Sequence, residues 1–425
     1  MRVLTGRFLC RAMSQLLVRN TWDQLWLRAF DDIAQQAIVR GQITSATELL
    51  NFLLTPILTG LSDTVGRRPV QVFCAAMNLG YHICGLTLAV EGSVVGLILG
   101  QLVFALSEQA QTLQRASMGD LWMAKGASAY SSALSTMELC YPCSKMTMPL
   151  LAALIIRGGR LRRVYFLSTF LALSDTLVAL LGPESLREAE RKPFRMRSVH
   201  PLSFLRIFTA GRKLRRLAIV QFLGNGSDSG YGTDPPEQIA NLHRSTTLGW
   251  SVAQRAQWDS LTALTRLLFV PTVSMAVRRL GQLNTWTIGS VVYLTHTIPL
   301  ALTNNFCAIY ATLPSHAFIM HRVSVERVMV AGAGRDAGFA QGALLGMSAN
   351  LRTMASILSP LLWSRVYAAG VRRGKAGLFF YSGVTAVSVV RLLIARSLAD
   401  EYSYVDGEDG ERGKQNGDTK ADSST

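Results

Sequence analysis

Charge is scarce in this sequence. Only 16% of its 425 residues are Asp, Glu, Lys or Arg, where a soluble domain carries about 25%. That shortage, with 49% hydrophobic residues and a mean hydropathy of +0.25, excludes an ordinary soluble enzyme and favours a polytopic membrane protein. Cysteine is sparse as well, with six residues, most of them inside apolar runs. Cys140 and Cys143 have CxxC spacing, but no second pair or neighbouring His cluster accompanies them, so neither a zinc site nor a redox centre is expected. No nucleophile–base set stands at useful spacing, so the chain is not read as an enzyme and no cofactor is expected. A basic N-terminus without a clean apolar core gives no sign of a cleavable signal peptide. Acids are outnumbered, 27 to 43, for a net charge of +16. Residues 400–425 are net negative by five, so the remainder carries +21. In a soluble protein this would suggest nucleic acid; in a membrane protein it places Lys and Arg in cytoplasmic loops facing anionic lipid, and no nucleic acid is expected.

The apolar runs are what the sequence has in place of charge. Residues 69–90 are uncharged over 22 positions, long enough to cross a hydrocarbon core of about 30 Å. Further candidates are 43–61 with Glu48, 92–107 continuing through Glu108, 126–154 with Glu138 and Lys145, and 164–181 with Asp175. Residues 182–216 hold ten bases and three acids and read as a basic cytoplasmic linker. Beyond it come a run from 217, then 260–277 with Arg266, two spans within 281–321, 337–363 with Arg352, and 376–394. The expected fold is therefore all-α: an N-terminal helical bundle over 1–181, the linker 182–216, a C-terminal bundle over 217–398 and a disordered acidic tail over 399–425. Eleven or twelve transmembrane helices are expected. The first is in doubt, because Arg2, Arg7, Arg11, Arg19, Arg28 and Arg40 alternate with Asp23, Asp31 and Asp32. A charge at mid-membrane costs about 2.5–3.5 kcal/mol even on gentle scales, so the first helix is expected to be atypical or absent.

Between the second and third helices stands "GLSDTVGRRPV", residues 60–70. It resembles the signature of the major facilitator superfamily, carried by Gly60, Asp63, Gly66, Arg67, Arg68 and Pro69. "SMAVRRLGQL", residues 274–283, looks like its degenerate repeat, with Arg278, Arg279 and Gly281 matching. Gly66 and Gly281 are 215 residues apart, the spacing of six helices plus a linker. Residues 338–370 are similar to helix eleven of the tetracycline-efflux-like and orphan solute carriers through Gly338, Gln341, Gly342, Leu344, Ile357, Pro360, Leu361 and Tyr367. The resemblance implies two pseudo-symmetric six-helix bundles that move a small organic solute by alternating access, with protons as a candidate coupling partner. A monomer is expected. It also implies that Asp63, Gly66, Arg67, Arg68, Arg278, Arg279 and Gly281 form a conformational latch.

Ionisable or polar residues inside spans are candidates for the cavity or for coupling: Glu108, Glu138, Lys145, Asp175, Arg266, Gln341 and Arg352. Arg266 and Arg352 are the expected partners of the acids. His296, His316 and His321 are expected to pack or hydrogen-bond rather than bind metal. Asn225 opens a glycosylation sequon. The stretch 96–117 has no Arg in its apolar part, and 138–154 keeps Pro142 and Pro149 without a glycine. Both depart from the proton-coupled exporters. They keep open an alternative: a non-transporting scaffold or receptor-like relative, or an incomplete transporter gene product.

Overall fold

The computed structural model describes residues 2–122, 127–156, 161–191, 201–227, 235–269, 272–303, 305–339 and 341–399. The tail 400–425 and residues 192–200 of the linker lie outside them. Among the described residues every regular element is a helix. Before the linker these are α1 (Arg2–Ala29), α2 (Ile33–Val65), α3 (Arg67–Ala89), α4 (Val94–Trp122), α5 (Ala127–Ile156) and α6 (Leu161–Leu181). After it come α7 (Arg212–Ser227), α8 (Pro235–Thr246), α9 (Val252–Phe269), α10 (Thr272–Leu280), α11 (Gln282–Leu302), α12 (Phe306–Tyr310), α13 (Ser315–Asp336), α14 (Gln341–Arg372) and α15 (Ala376–Arg396). Among the described residues, with α7 and α8, α9 and α10, and α12 and α13 taken as consecutive pieces of single passes, the helices make twelve passes, six on each side of the linker.

Local chemistry sets the boundaries. Asp32 caps α2 by accepting from the Ala34 N–H at 2.8 Å, and Ser93 caps α4 through Gly96. Gly66 separates α2 from α3 at φ +107°, a conformation that disfavours any Cβ. Gly281 begins α11 at φ +77°, so the two signature glycines serve the same turn in the two halves.

α6 shows which solvent the helices meet. Phe166, Phe170, Leu173, Leu177 and Leu181 form one exposed stripe, while Ser168, Asp175 and Thr176 are buried on the other face. Apolar residues outside and polar residues inside is the arrangement a lipid surround requires. By length and composition α3, α4, α6 and α15 each suffice to cross a bilayer. Of the residues that made a first helix doubtful, Arg2, Arg7, Arg11, Arg19, Asp23 and Arg28 lie in α1, which packs on α5 and α6, while Asp32 caps α2 and Arg40 lies within it. In the first half α3 also contacts α4 and α6; in the second, α11 packs on α13 and α15, and α14 on α15 and α7. The halves meet chiefly along two helix pairs, α2 with α14 and α5 with α9, with smaller contacts of α1 and α2 on α8 and of α1 on α9. Close approach in the first pair depends on Gly41, where a Cβ would stand 2.7 Å from the Pro360 carbonyl oxygen and against Ser364.

The described part of the linker is partly built into the protein. Phe204 and Ile207 are buried in a cluster with Phe52 of α2 and Met347 and Leu351 of α14. Arg206, Arg212 and Arg215 are exposed around them.

Candidate functional site

At the signature, Asp63 pairs with Arg67 one helical turn on, and Arg67 Nε reaches Asp120 of α4 at 3.1 Å. Arg68 donates to the Leu180 carbonyl of α6. The N-terminus of α3 is capped by Glu184, just beyond α6, which accepts from the backbone N–H groups of Arg67 and Arg68 at 2.9 Å each. Burial would raise the Glu184 carboxyl, but the N–H donors of Leu186, Arg68, Arg67 and Ser185 outweigh it and hold it below the usual carboxylate range. The signature thus ties together the ends of α2, α3, α4 and α6. Arg278 and Arg279 of the repeat are exposed. Asp120 and Glu184 were not singled out from sequence, though each is an isolated acid at the end of an apolar run.

Deeper within each half lies a buried ion pair. Arg7 Nε of α1 binds Asp175 of α6 at 3.2 Å and also donates to Gln71 of α3, with both charged side chains almost wholly buried. In the second half Arg391 of α15 binds Glu326 of α13 at 2.7 Å, Glu326 accepts from Trp286 Nε1 of α11, and Arg391 Nε donates to the Val220 carbonyl of α7. Asp175 therefore takes its partner from α1, and not from the expected Arg266 or Arg352. Glu108 accepts from Asn51 of α2 at 2.8 Å. The side chains of Glu138 and Gln341 lie outside the described residues. Asn225 lies within α7, and its Nδ2, the atom a glycan would take, is buried.

The remaining charges meet between the halves, toward the end opposite the signature. Asp23 of α1 accepts from Arg40 of α2 at 2.6 Å and, across the interface, from Arg255 of α9 at 2.9 Å. Asp23 stands six residues from the end of α1, about 9 Å in. One turn deeper, Arg19 binds Glu237 of α8 at 3.3 Å, and Glu237 also takes Arg244 at 3.1 Å. Asn20 donates to Asp259 of α9 at 3.1 Å, and Thr44 of α2 to Gln238 of α8 at 3.1 Å. Lys145 of α5 is 6% exposed and within electrostatic range of Arg19, Arg266, Asp259 and Glu237. Arg266 Nη2 is 3.3 Å from His316 Nδ1, and the His316 ring lies 4.3 Å from that of His296, whose Nδ1 meets Thr312 at 2.9 Å. His321 contacts Thr272, so all three histidines have packing or hydrogen-bonding partners. Sequence reasoning found Lys145 and Arg266 in this layer but missed Arg19, Asp23, Glu237, Arg255 and Asp259. Their only advance signal was charge of both signs in segments otherwise fit to be helices.

No family model matches the sequence. Among solved structures, the human organic anion transporter MFSD10 (TETRAN) aligns over 92% of this chain and 98% of its own, at 20% identity and a TM-score of 0.65. The nucleoside transporter NupG, in a point-mutant form, aligns over 93% and 98%, at 13% identity and a TM-score of 0.74. The D-xylose-proton symporter aligns over 92% and 95%, at 15% and 0.67. At these identities the likeness is one of fold, and it spans nearly the whole of each chain. The chain is an all-α, multi-pass integral membrane protein with the fold of the major-facilitator-type transporters.

Proposed function

We propose that the protein is a secondary transporter that moves a small organic solute across a membrane by alternating access of its two bundles. The observation that carries this reading is the charged, buried layer between the halves, set between bundles that are each pinned by their own ion pair, Arg7–Asp175 and Arg391–Glu326. Internally pinned bodies joined by a polar seam can rock against each other without repacking their interiors. Three proteins of like fold are transporters by name, of organic anions, nucleosides and D-xylose with protons. No covalent chemistry is called for. The likeness of residues 338–370 to the tetracycline-efflux-like and orphan solute carrier branch belongs to the same reading, as do protons as the coupling ion. A latch role of Asp63, Gly66, Arg67, Arg68, Arg278, Arg279 and Gly281 belongs to the same reading; the contacts of Asp63, Arg67 and Arg68 join four helix ends of the first bundle. Contact with anionic lipid is supported by the exposed arginines around the buried Phe204 and Ile207.

The test is flux. Full-length protein in sealed phosphatidylcholine vesicles is offered a mixed pool of small metabolites, and the vesicle contents are read by mass spectrometry. Enrichment of at least one solute over protein-free vesicles is expected. No enrichment by protein shown to be folded would overturn transport and favour the scaffold reading.

A further inference from the structure

Resting on the transport reading, we infer that the layer between the halves binds the negatively charged group of its solute, a carboxylate, sulfonate or phosphate, through Lys145 and Arg19 of the first half and His316 of the second. The charges in this layer do not balance. Among the described residues, Arg19, Arg40, Lys145, Arg244 and Arg255 face three carboxylates, Asp23, Glu237 and Asp259. Those carboxylates are already engaged: Asp23 uses each oxygen on an arginine, Glu237 takes two arginines, and Asp259 takes Asn20 and lies near Lys145. Lys145, although buried, forms no ion pair within 4 Å among the described residues. A buried ammonium in such surroundings is stabilised by an anion that arrives from outside.

Hydrogen bonding gives the same answer. Arg19 uses one nitrogen on Glu237, while its Nε and Nη1 are buried with no acceptor. A guanidinium can only donate, so His316 Nδ1 accepts from Arg266 and the proton of the neutral ring sits on Nε2. That Nε2 is also buried and has no acceptor. The surplus here is of donors, contributed by helices of both halves. Such a set repels cations and gains only ordinary hydrogen bonds from a neutral solute, whereas an oxyanion satisfies it with charge-assisted bonds of about twice the strength. Because the donors come from both bundles, an anion held among them would bridge the surfaces that move in alternating access.

The experiment uses the full chain in phosphatidylcholine nanodiscs at constant ionic strength, following thermal unfolding and tryptophan fluorescence. The probes are matched pairs, acetate with acetamide and benzoate with benzamide, together with phenyl phosphate. At least one soluble anion should stabilise the protein saturably while its neutral counterpart does not. Lys145→Gln should weaken that anion at least about tenfold, and Lys145→Arg should keep it within about threefold, as expected for loss or retention of a charge-assisted contact. If Lys145→Gln does not fold, His316→Phe takes its place, with a weakening of about fivefold expected from loss of one donor. Equal response to neutral partners, unchanged affinity in both variants, no response to any soluble anion, or a response only when phosphatidylglycerol is added would each overturn the inference, the last by making the ligand a lipid headgroup. Anion binding without flux would leave this site standing and remove transport. Flux of a neutral solute untouched by Lys145→Gln would do the reverse.

Discussion

Single side chains in this protein are held by partners far away in sequence, and that decides what their removal does. Asp175→Asn leaves Arg7 charged and buried against a neutral amide. A loss of about 3–5 kcal/mol is expected for breaking such a pair, seen as a lower unfolding temperature that Arg7→Met with Asp175→Leu together should largely restore. Glu184 behaves differently because it lies outside the bundle interior. Its carboxyl is held below the usual range, so its contribution is fully present above the unfolded value of about 4.3 and is lost as pH falls through the lower folded value. Glu184→Gln should therefore lower the unfolding temperature by a constant amount from neutral pH down to mild acid, and the gap to the wild type should close in stronger acid. A gap independent of pH down to full carboxylate protonation would mean the cap works through shape alone.

Helices built from uncharged runs were legible in the sequence, and helices built from paired charges were not. The run 69–90 became α3 at Arg67–Ala89, and 376–394 became α15 at Ala376–Arg396. α1 was hidden because hydropathy counts Arg7, Arg19 and Asp23 as costs, while their partners Asp175, Glu237 and Arg255 are 168, 218 and 232 residues away. The same reason kept the layer between the halves out of sight: its charge sum needs residues from α1, α2, α5, α8 and α9 brought side by side. Of the acids singled out inside the spans, Asp175 takes Arg7 of α1 in place of the expected Arg266 or Arg352. The α2–α14 contact yields a prediction about elements. Gly41→Leu has no room beside Pro360 and Ser364, so the two helices must separate at the end opposite the signature. Under the alternating-access reading, a cysteine placed beside Thr44 should become more reactive toward an impermeant maleimide added from that side. Unchanged reactivity would show that the contact yields elsewhere.

On the scale of the molecule, two bundles with separate internal ion pairs share one seam, and the linker's Phe204 and Ile207 lie against α14 near Phe52 of α2. Interiors of this kind favour motion at the seam over motion within a bundle. Asp23→Asn should therefore shift the balance between the two facing states more than it lowers stability within a bundle, which pulsed maleimide labelling from each side would register. The far-off partners of α1 also set a timetable for the newborn chain. At about 5–20 residues per second, the 218 residues separating Arg19 from Glu237 take roughly 10–45 s to synthesise. Until then Arg19 has no mate in the lipid, and Arg7 waits 168 residues for Asp175, so α1 should wait at the membrane surface or in an insertion factor and enter only after α8 is made. Ribosome-stalled chains ending near residue 160 should leave α1 open to added protease, and chains that extend past residue 290 should protect it. α1 would then enter out of its order in the chain, after a helix of the second half, and defects in that factor would strand the chain with one helix outside.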